Sequence, residues 1–541
     1  MRLLLLLTIL ISSLYSAPLK EELQRNLQYQ PRIVQTLYSM NMNRSLWIGH
    51  ARNFHALMQA LENPYYNYKQ KKFSREIIDQ YSHLLHNNMD LNQNSDELAK
   101  LDIALTQSYI ALANFIVNSD VDWDKVQEKL HALKESKDIS AHWEMVRKTP
   151  PSADQLFNAL VNEEISQFFK SLTPLKERHK ALINALLFYQ NMREVPKVHY
   201  GEVLKYGDRD ERIIEVKERL AISGDFPRKA YYSDLFDDQL KEALAIYKDR
   251  FNLEKNGLID KITIYYMNKP IKLLVDDIIT NLDKLKVFPN QFPKEVVMVN
   301  IPDFRMDYYK NGYSVLSMNA VVGRDERPTP IFASDMTYLE LNPNWNIPEN
   351  LVRRDLIPAL IEHPNYLKEH NIHVFKGWGK KSKDLQSTFT VDKLLPYKEK
   401  SAGHIPYRFV QYPGEDNALG RIKFMFPNKY SVYLHDTDNK ELLTRRYRVY
   451  SSGCMRLQHP FKLLDMLKPR LKVSSEKIEK YLASGKTKTL RFTKKLPVQT
   501  LYFTVFQRNG LIYFRKDIYQ YDKFIRQSLK DENLTQESLL Y

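Results

Sequence analysis

Two side chains have the types and spacing for nucleophilic catalysis. Cys454 lies in "RVYSSGCMRLQHP" (448–460), and His435 lies upstream in "KYSVYLHDTD" (429–438). A thiol attacks at neutral pH once a base or a positive field draws off its proton, which a free cysteine holds with a pKa of about 8.5. Cys454 is the chain's only cysteine. It therefore forms no intrachain disulfide, and is either a small buried apolar group or a reactive one. Read as a strand, 431–436 puts Ser431, Tyr433 and His435 on one face and Val432, Leu434 and Asp436 on the other. His435 is the candidate base. In "SSGC", Ser451, Ser452 and Gly453 let the backbone bend tightly and aim its N–H groups at one point, as an oxyanion hole requires. Arg456 could favour the thiolate or hold a substrate carboxylate. Elsewhere, "EHNIH" brings Glu369, His370 and His373 close, and the two histidines could share a helix face. A zinc site needs a third ligand and a recognisable motif, so these read as lid or surface residues and no metal is expected.

The elements that must position these groups follow from patterning. "MRLLLLLTILISSLYSAP" has Arg2, an apolar run from Leu3 to Ile11 and small residues at Ser16–Ala17. That is the layout of a signal peptide over 1–17. The run is shorter than the about 20 residues a span needs, although an uncleaved N-terminal anchor, and with it membrane proximity, stays open. The expectation is an exported protein. Its net charge of +15 suits nucleic acid, anionic lipid or an acidic polymer such as a cell wall. With no basic block interleaved with aromatics and no zinc-finger spacing, nucleic acid is not an expected partner. From 18 to 200 the chain reads as helical: Leu98, Leu101, Leu105, Leu112 and Ile116 recur at helical spacing behind Ser95 as N-cap, and Leu175, Leu182, Leu186 and Tyr189 do likewise. A small unit over 201–285 has a turn at Gly207–Asp208, a helix carrying Ile213, Val216 and Leu220, a second carrying Phe236, Leu240, Ala243, Leu244 and Tyr247, and an Asn256–Gly257 turn into a third. Residues 290–525 change to strand texture, with hairpin signals at Asn311–Gly312 and Asn509–Gly510. A more helical insertion over about 350–408 is the sort of element that lids a site, and 526–541 form a tail. The fold class is thus multidomain α+β: a helical N-terminal scaffold, a three-helix module and a β-rich domain with an inserted lid.

Histidine in "HDT" followed by "SSGCMR" resembles the signature of the YkuD-type L,D-transpeptidase catalytic domain. The 201–285 unit resembles a peptidoglycan-binding module, with Ala243, Phe251, Leu253, Gly257 and Thr263 at its core and turn positions; Tyr247 and Asp260 depart from the usual Phe and Gly. The stretches 336–351, 411–428 and 497–522 extend the likeness to the large YcbB-like L,D-transpeptidases over nearly the whole mature chain. Asp438 and Tyr412 stand where that family often has proline. The resemblance implies a periplasmic cell-wall enzyme that carbapenems acylate, needs no cofactor, and acts on peptidoglycan stem peptides and glycan strands. It names no protein partner. Cys454 would attack the third residue of a tetrapeptide stem and release D-Ala, and a neighbouring stem's side-chain amine would resolve the thioester into a cross-link. His435 would move the proton and the Gly453 and Cys454 N–H groups would hold the oxyanion, beside Ser452. Arg456 and Tyr433 would contact substrate. Asp436 is not nominated to orient the imidazole, and Trp345 reads as structural. An L,D-carboxypeptidase, in which water resolves the thioester, and a non-catalytic wall-binding scaffold are the alternatives; attachment of a lipoprotein lysine to the wall is also open.

Overall fold

The helical spacing at 95–118 becomes one helix, Ser95–Asn118, whose Leu98, Leu101, Leu105, Leu112 and Ile116 are all buried. Its N-cap is Asn94 rather than the expected Ser95, which is already helical. The computed structural model describes residues 17–85, 94–192, 196–377, 382–399 and 403–530. The signal peptide expected over 1–17 lies outside them except for Ala17, as does the tail beyond residue 530. Among the described residues no helix is long and apolar enough to cross a membrane.

The chain divides into two units, one of 1–129, 145–292 and 503–541, the other of 130–144 and 293–502. In the first, the three-helix module forms as patterned: Glu211–Ile222, Asp238–Arg250 and Lys261–Met267. Asp260, the departure from glycine, is the third helix's N-cap and accepts the Thr263 N–H at 2.8 Å. Such caps contribute about 1 kcal/mol. The β-rich region was expected to run to 525, yet 503 onward belongs to the first unit. Buried polar contacts give the reason. Asn281 exchanges hydrogen bonds with Thr504 (2.8 and 3.0 Å), and Lys284 pairs with Asp522 at 2.6 Å. Phe514, on the hairpin that turns at Asn509–Gly510, stacks on Phe251 with centroids 5.2 Å apart.

The second unit is built on a large sheet. Its strands are β1 (Val296–Asn300), β2 (Arg305–Lys310), β3 (Tyr313–Gly323), β4 (Ala333–Leu341), β5 (Trp345–Asn346), β6 (Ile372–Lys376), β7 (Lys383–Asp384), β8 (Tyr407–Gln411), β9 (Ile422–Met425), β10 (Leu434–His435), β11 (Val449–Ser451), β12 (Met455–Leu457) and β13 (Lys488–Leu501). The main sheet runs β11-β3-β12-β10-β9-β4-β13-β1-β2, and β2 also pairs with β3, so it closes on itself. The β2–β3 turn has positive φ at both Asn311 and Gly312, the geometry that Asn-Gly favours. Residues 130–144, expected to belong to the helical scaffold, join this unit because Trp143 bridges to Ile331 and Glu144 pairs with Lys429 at 3.0 Å.

The insertion is less helical than its sequence suggests. It folds as a small sheet, β5-β8-β6-β7, against short helices. It has its own apolar core, which includes Val352, Leu356, Ile357, Leu360, Val374 and Phe409. Glu369 ends the helix Tyr366–Glu369, and His373 sits on β6 with its ring against Tyr412, so the two histidines share no helix face. A core of this kind makes the insertion a separately cooperative element. Phe409→Ala should weaken it by about 3–5 kcal/mol. Hydrogen exchange should show faster exchange in 352–360 and 372–376, with β4 and β13 unaffected.

Candidate active site

The pleat of the main sheet sorts its residues. Leu339 and Leu341 of β4, Ile422 and Phe424 of β9, Leu434 of β10, and Met455 and Leu457 of β12 are fully buried on one face. Their alternates point to the other. β10 pairs in parallel with β12, Leu434 opposite Met455 and His435 opposite Arg456, and Met455 N–H donates to the Tyr433 carbonyl at 3.1 Å. One residue back, this register sets Cys454 beside Tyr433. Tyr433, His435, Cys454 and Arg456 therefore share the face opposite the apolar one. The expected strand over 431–436 is shorter, Leu434–His435, because Ser431 takes a left-handed φ of 55°. The shared face survives: the Tyr433 and His435 rings meet edge-on, 5.5 Å between centroids. Asp436 points the other way. It is buried, accepts the Arg421 N–H at 2.9 Å and pairs with Lys440.

The turn before Cys454 is fixed by hydroxyls. Ser451 Oγ donates to the Cys454 carbonyl and accepts the Gly453 N–H at 3.1 Å, and Thr329 Oγ1 donates to the Gly453 carbonyl at 2.9 Å. Gly453 has φ of +111°, where a side chain would be strained even though neighbouring atoms leave it room. The expected pair of oxyanion donors changes accordingly. Gly453 N–H is already engaged by Ser451, whereas Cys454 N–H has no partner among the described residues. Ser452 is exposed and accepts from Arg327 Nη1 at 2.8 Å, and Arg327 also grips Asp355 of the insertion at 2.8 and 3.1 Å.

The Cys454 thiol and the His435 imidazole are both neutral near pH 7. Desolvation pushes the half-buried Cys454 thiol up to about 11, against smaller opposing effects of Tyr433, Arg456 and Lys423. Desolvation also drives His435 down to about 3, helped by the Arg456, Lys423 and Lys440 charges. No hydrogen bond joins the two side chains; the thiol faces the Ser431 carbonyl at 4.0 Å, and His435 Nδ1 is buried without a partner among the described residues. Bonds of this kind often tighten only around substrate. The guanidinium of Arg456 is largely buried, its Nε has no partner, and desolvation lowers its pKa. Beside Ser452 and Gly453 opens a cavity of about 880 Å³, lined also by Arg327, Arg354, His404 and Lys429.

Several site residues escaped the sequence reading. Trp345, taken as structural, lies near enough to the Tyr433 hydroxyl to affect it by hydrogen bonding. Lys423 and Glu340 stand on the polar side of "RIKFM" and "YLELN", where alternation between apolar neighbours was the available signal. Arg327 had none. Chemically, the set offers a thiol, a neutral imidazole, an N–H donor without a partner among the described residues and a buried cation on one face of the sheet.

Residues 294–474 match the YkuD family of L,D-transpeptidase catalytic domains, and residues 32–186 match a scaffold-domain family. A curated relative from Haemophilus influenzae, named "Putative L,D-transpeptidase", is 34% identical over 245 residues, 45% of this chain and 48% of that one. The match thus spans about half the length of that relative. Solved L,D-transpeptidases from Xylanimonas cellulosilytica (10% identity, 56% of this chain and 98% of that chain, TM-score 0.18) and Stackebrandtia nassauensis (12%, 59% and 100%, TM-score 0.20) are also similar. Likeness at such TM-scores says nothing about the site.

With the thiol protonated up to about pH 11 and the imidazole neutral above about pH 3, alkylation of Cys454 by iodoacetamide should rise about tenfold per pH unit from 7 towards 10. Mass spectrometry of time-quenched samples measures it. A plateau reached near pH 7 would mean a preformed thiolate–imidazolium pair instead.

Proposed function

We propose, from the premise that residues 294–474 form an L,D-transpeptidase catalytic domain, that the protein cross-links peptidoglycan stem peptides through a thioester on Cys454. The observation carrying this reading is the β10–β12 register, which sets Cys454, His435 and Arg456 on one face of the sheet, next to the turn whose Ser452 and Gly453 line a cavity. In the first step Cys454 Sγ bonds to the carbonyl carbon of the stem's third residue. His435 takes the thiol proton and passes it to the departing amine, so the C–N bond breaks and D-Ala leaves. A side-chain amine of a second stem then attacks the thioester; the new amide forms and the thiol is restored. The unengaged N–H of Cys454 is the natural donor to the oxyanion, and the largely buried Arg456 cation suits a stem carboxylate. These steps use no metal or other cofactor.

The three-helix module supports a wall-bound protein through exposed aromatic surface: Tyr231 is 90% exposed and Tyr265 63%. Faces of this kind stack on sugar rings. The leader over 1–17 and the absence of a second cysteine fit an exported, periplasmic protein whose single thiol stays free.

Incubating the mature protein with tetrapeptide muropeptides, and analysing products by mass spectrometry, should give cross-linked dimers and free D-Ala. Tripeptides alone would mean that water resolves the thioester, and identical products from Cys454→Ala would end the catalytic reading. A carbapenem should add one drug mass to wild type and none to that variant. Arg456→Met should lower kcat/KM by about tenfold to a hundredfold, the cost of about 1.5–3 kcal/mol for a lost charge-assisted hydrogen bond. Kinetics on donors with and without the stem carboxylate would show the loss only for the carboxylate-bearing one.

A further inference from the structure

The polar face of the sheet holds a row of charge that the reaction scheme leaves unused. Across adjacent strands, Glu340 of β4 stands opposite Lys423 of β9, Lys423 opposite His435 of β10, and His435 opposite Arg456 of β12. Glu340 and Lys423 form an ion pair at 2.9 Å with side chains only 19% and 12% exposed. Both sit in a half-buried row, where Coulomb interactions outweigh those of surface pairs. The Lys423 ammonium also lies over the Tyr433 ring, 5.4 Å from its centroid. Tyr433 in turn meets His435 edge-on and its hydroxyl is coupled to the Cys454 thiol. A single cation thus touches the ring that borders both reacting groups, and a single carboxylate holds that cation.

We infer that the Glu340–Lys423 pair is the positioning element of this site: Lys423 fixes the Tyr433 ring and supplies the thiol with a positive field that Glu340 partly cancels. The other charged and titratable groups acting on the thiol and imidazole are Tyr433 on their own face, Arg456 on β12 and Lys440 on a flanking loop, while Asp438 and Arg324 act on Arg456. Lys423 is distinct among these cations. Arg456 lies on the far side of His435 from Lys423 and Lys440 is tied to Asp436, whereas Lys423 is bound to a carboxylate of the sheet itself. Glu340 therefore tunes the field: a full ammonium charge would favour the thiolate further, and a cancelled one would leave desolvation unopposed. The row adds to desolvation in keeping the imidazole neutral, since Lys423 and Arg456 flank His435 from both sides.

The test uses the intact chain, in which Cys454 is the only thiol, so alkylation by iodoacetamide reports on it alone. Second-order rate constants are measured from pH 6 to 10 for wild type, Lys423→Met, Lys423→Arg and Glu340→Gln. Loss of the cation should slow alkylation at fixed pH by about three- to tenfold, loss of the carboxylate should speed it by about the same factor, and Lys423→Arg should stay near wild type. The opposite signs separate this role from a structural one, because misplacement of the strand would slow both variants alike. If Lys423→Met fails to fold, the sign for Glu340→Gln still decides. Equal slowing, or no change in either, overturns the inference. The inference rests on Cys454 being the nucleophile. Alkylation reads the thiol without substrate, however, so a wild type that responds as described yet makes no cross-links would refute the proposed reaction and leave this role standing.

Discussion

The site depends on one strand pairing. β10 is only Leu434–His435 and β12 only Met455–Leu457, and they run in parallel. Parallel neighbours join through a crossover and their register is not set by a tight turn. Here it is pinned from two other directions. β10 pairs with β9 through Leu434 and Phe424, β12 pairs with β3 through Leu457 and Ala320, and all four of those side chains are fully buried. A slip of one residue would turn Leu434 and Met455 towards the polar face and His435 and Cys454 into the core. The apolar cost of that slip fixes the chemistry. Residues that never touch a substrate decide which ones can.

The same burial sets the resting state of the reactive pair. Taking a thiol and an imidazole out of water disfavours the charged form of each, so one pKa rises and the other falls. Two neutral groups need no permanent counter-charge, and an ion pair in their place would have to recover its desolvation cost. Positive charge still surrounds them: Arg456 on one side, Lys423 on the other and Lys440 in a loop. These cations act against imidazolium and in favour of thiolate. They lower the cost of the anionic sulfur only when the proton leaves, which is the moment the proposed reaction needs it.

Local chemistry in the sequence carried most of the site. Cys454 and His435 were legible from residue type and spacing, Asp436's turn away from them from strand parity, and Gly453 from the tight bend, which has φ of +111°. Hairpins marked by Asn-Gly were equally plain. What sequence could not carry were contacts between distant segments. The return of residues 503–530 to the first unit depends on Asn281, Thr504, Lys284 and Asp522 meeting in the interior. The use of the Gly453 N–H by Ser451 depends on a hydroxyl rotamer. Lys423 and Glu340 sit far apart in sequence, and alternation hints at their face without naming their partner. Within the insertion's sheet, β5 and β7 are two-residue strands with no period to detect.

The insertion's relation to the Cys454 turn shows how little a single ion pair decides. Arg327 joins Ser452 to Asp355 on the π-helical turn Val352–Leu356, but Asp355 is 52% exposed. An ion pair with one partner that open contributes about 0–1 kcal/mol. The insertion holds its own form by other means. Ile357, Val374 and Phe409 close a core with no exposed surface, and buried aliphatic and aromatic side chains of this size each contribute about 1.5–3 kcal/mol. Arg353 adds hydrogen bonds to the carbonyls of Tyr397, Glu399 and Gly403, and pairs with Glu349. Its guanidinium therefore ties the carbonyls of Tyr397, Glu399 and Gly403 to the start of the insertion's helical segment. Stability is thus internal to the insertion. Arg327 contributes direction instead: its fork orients Ser452 and Asp355 towards one point at the mouth of the cavity, and it can do so at little energetic cost.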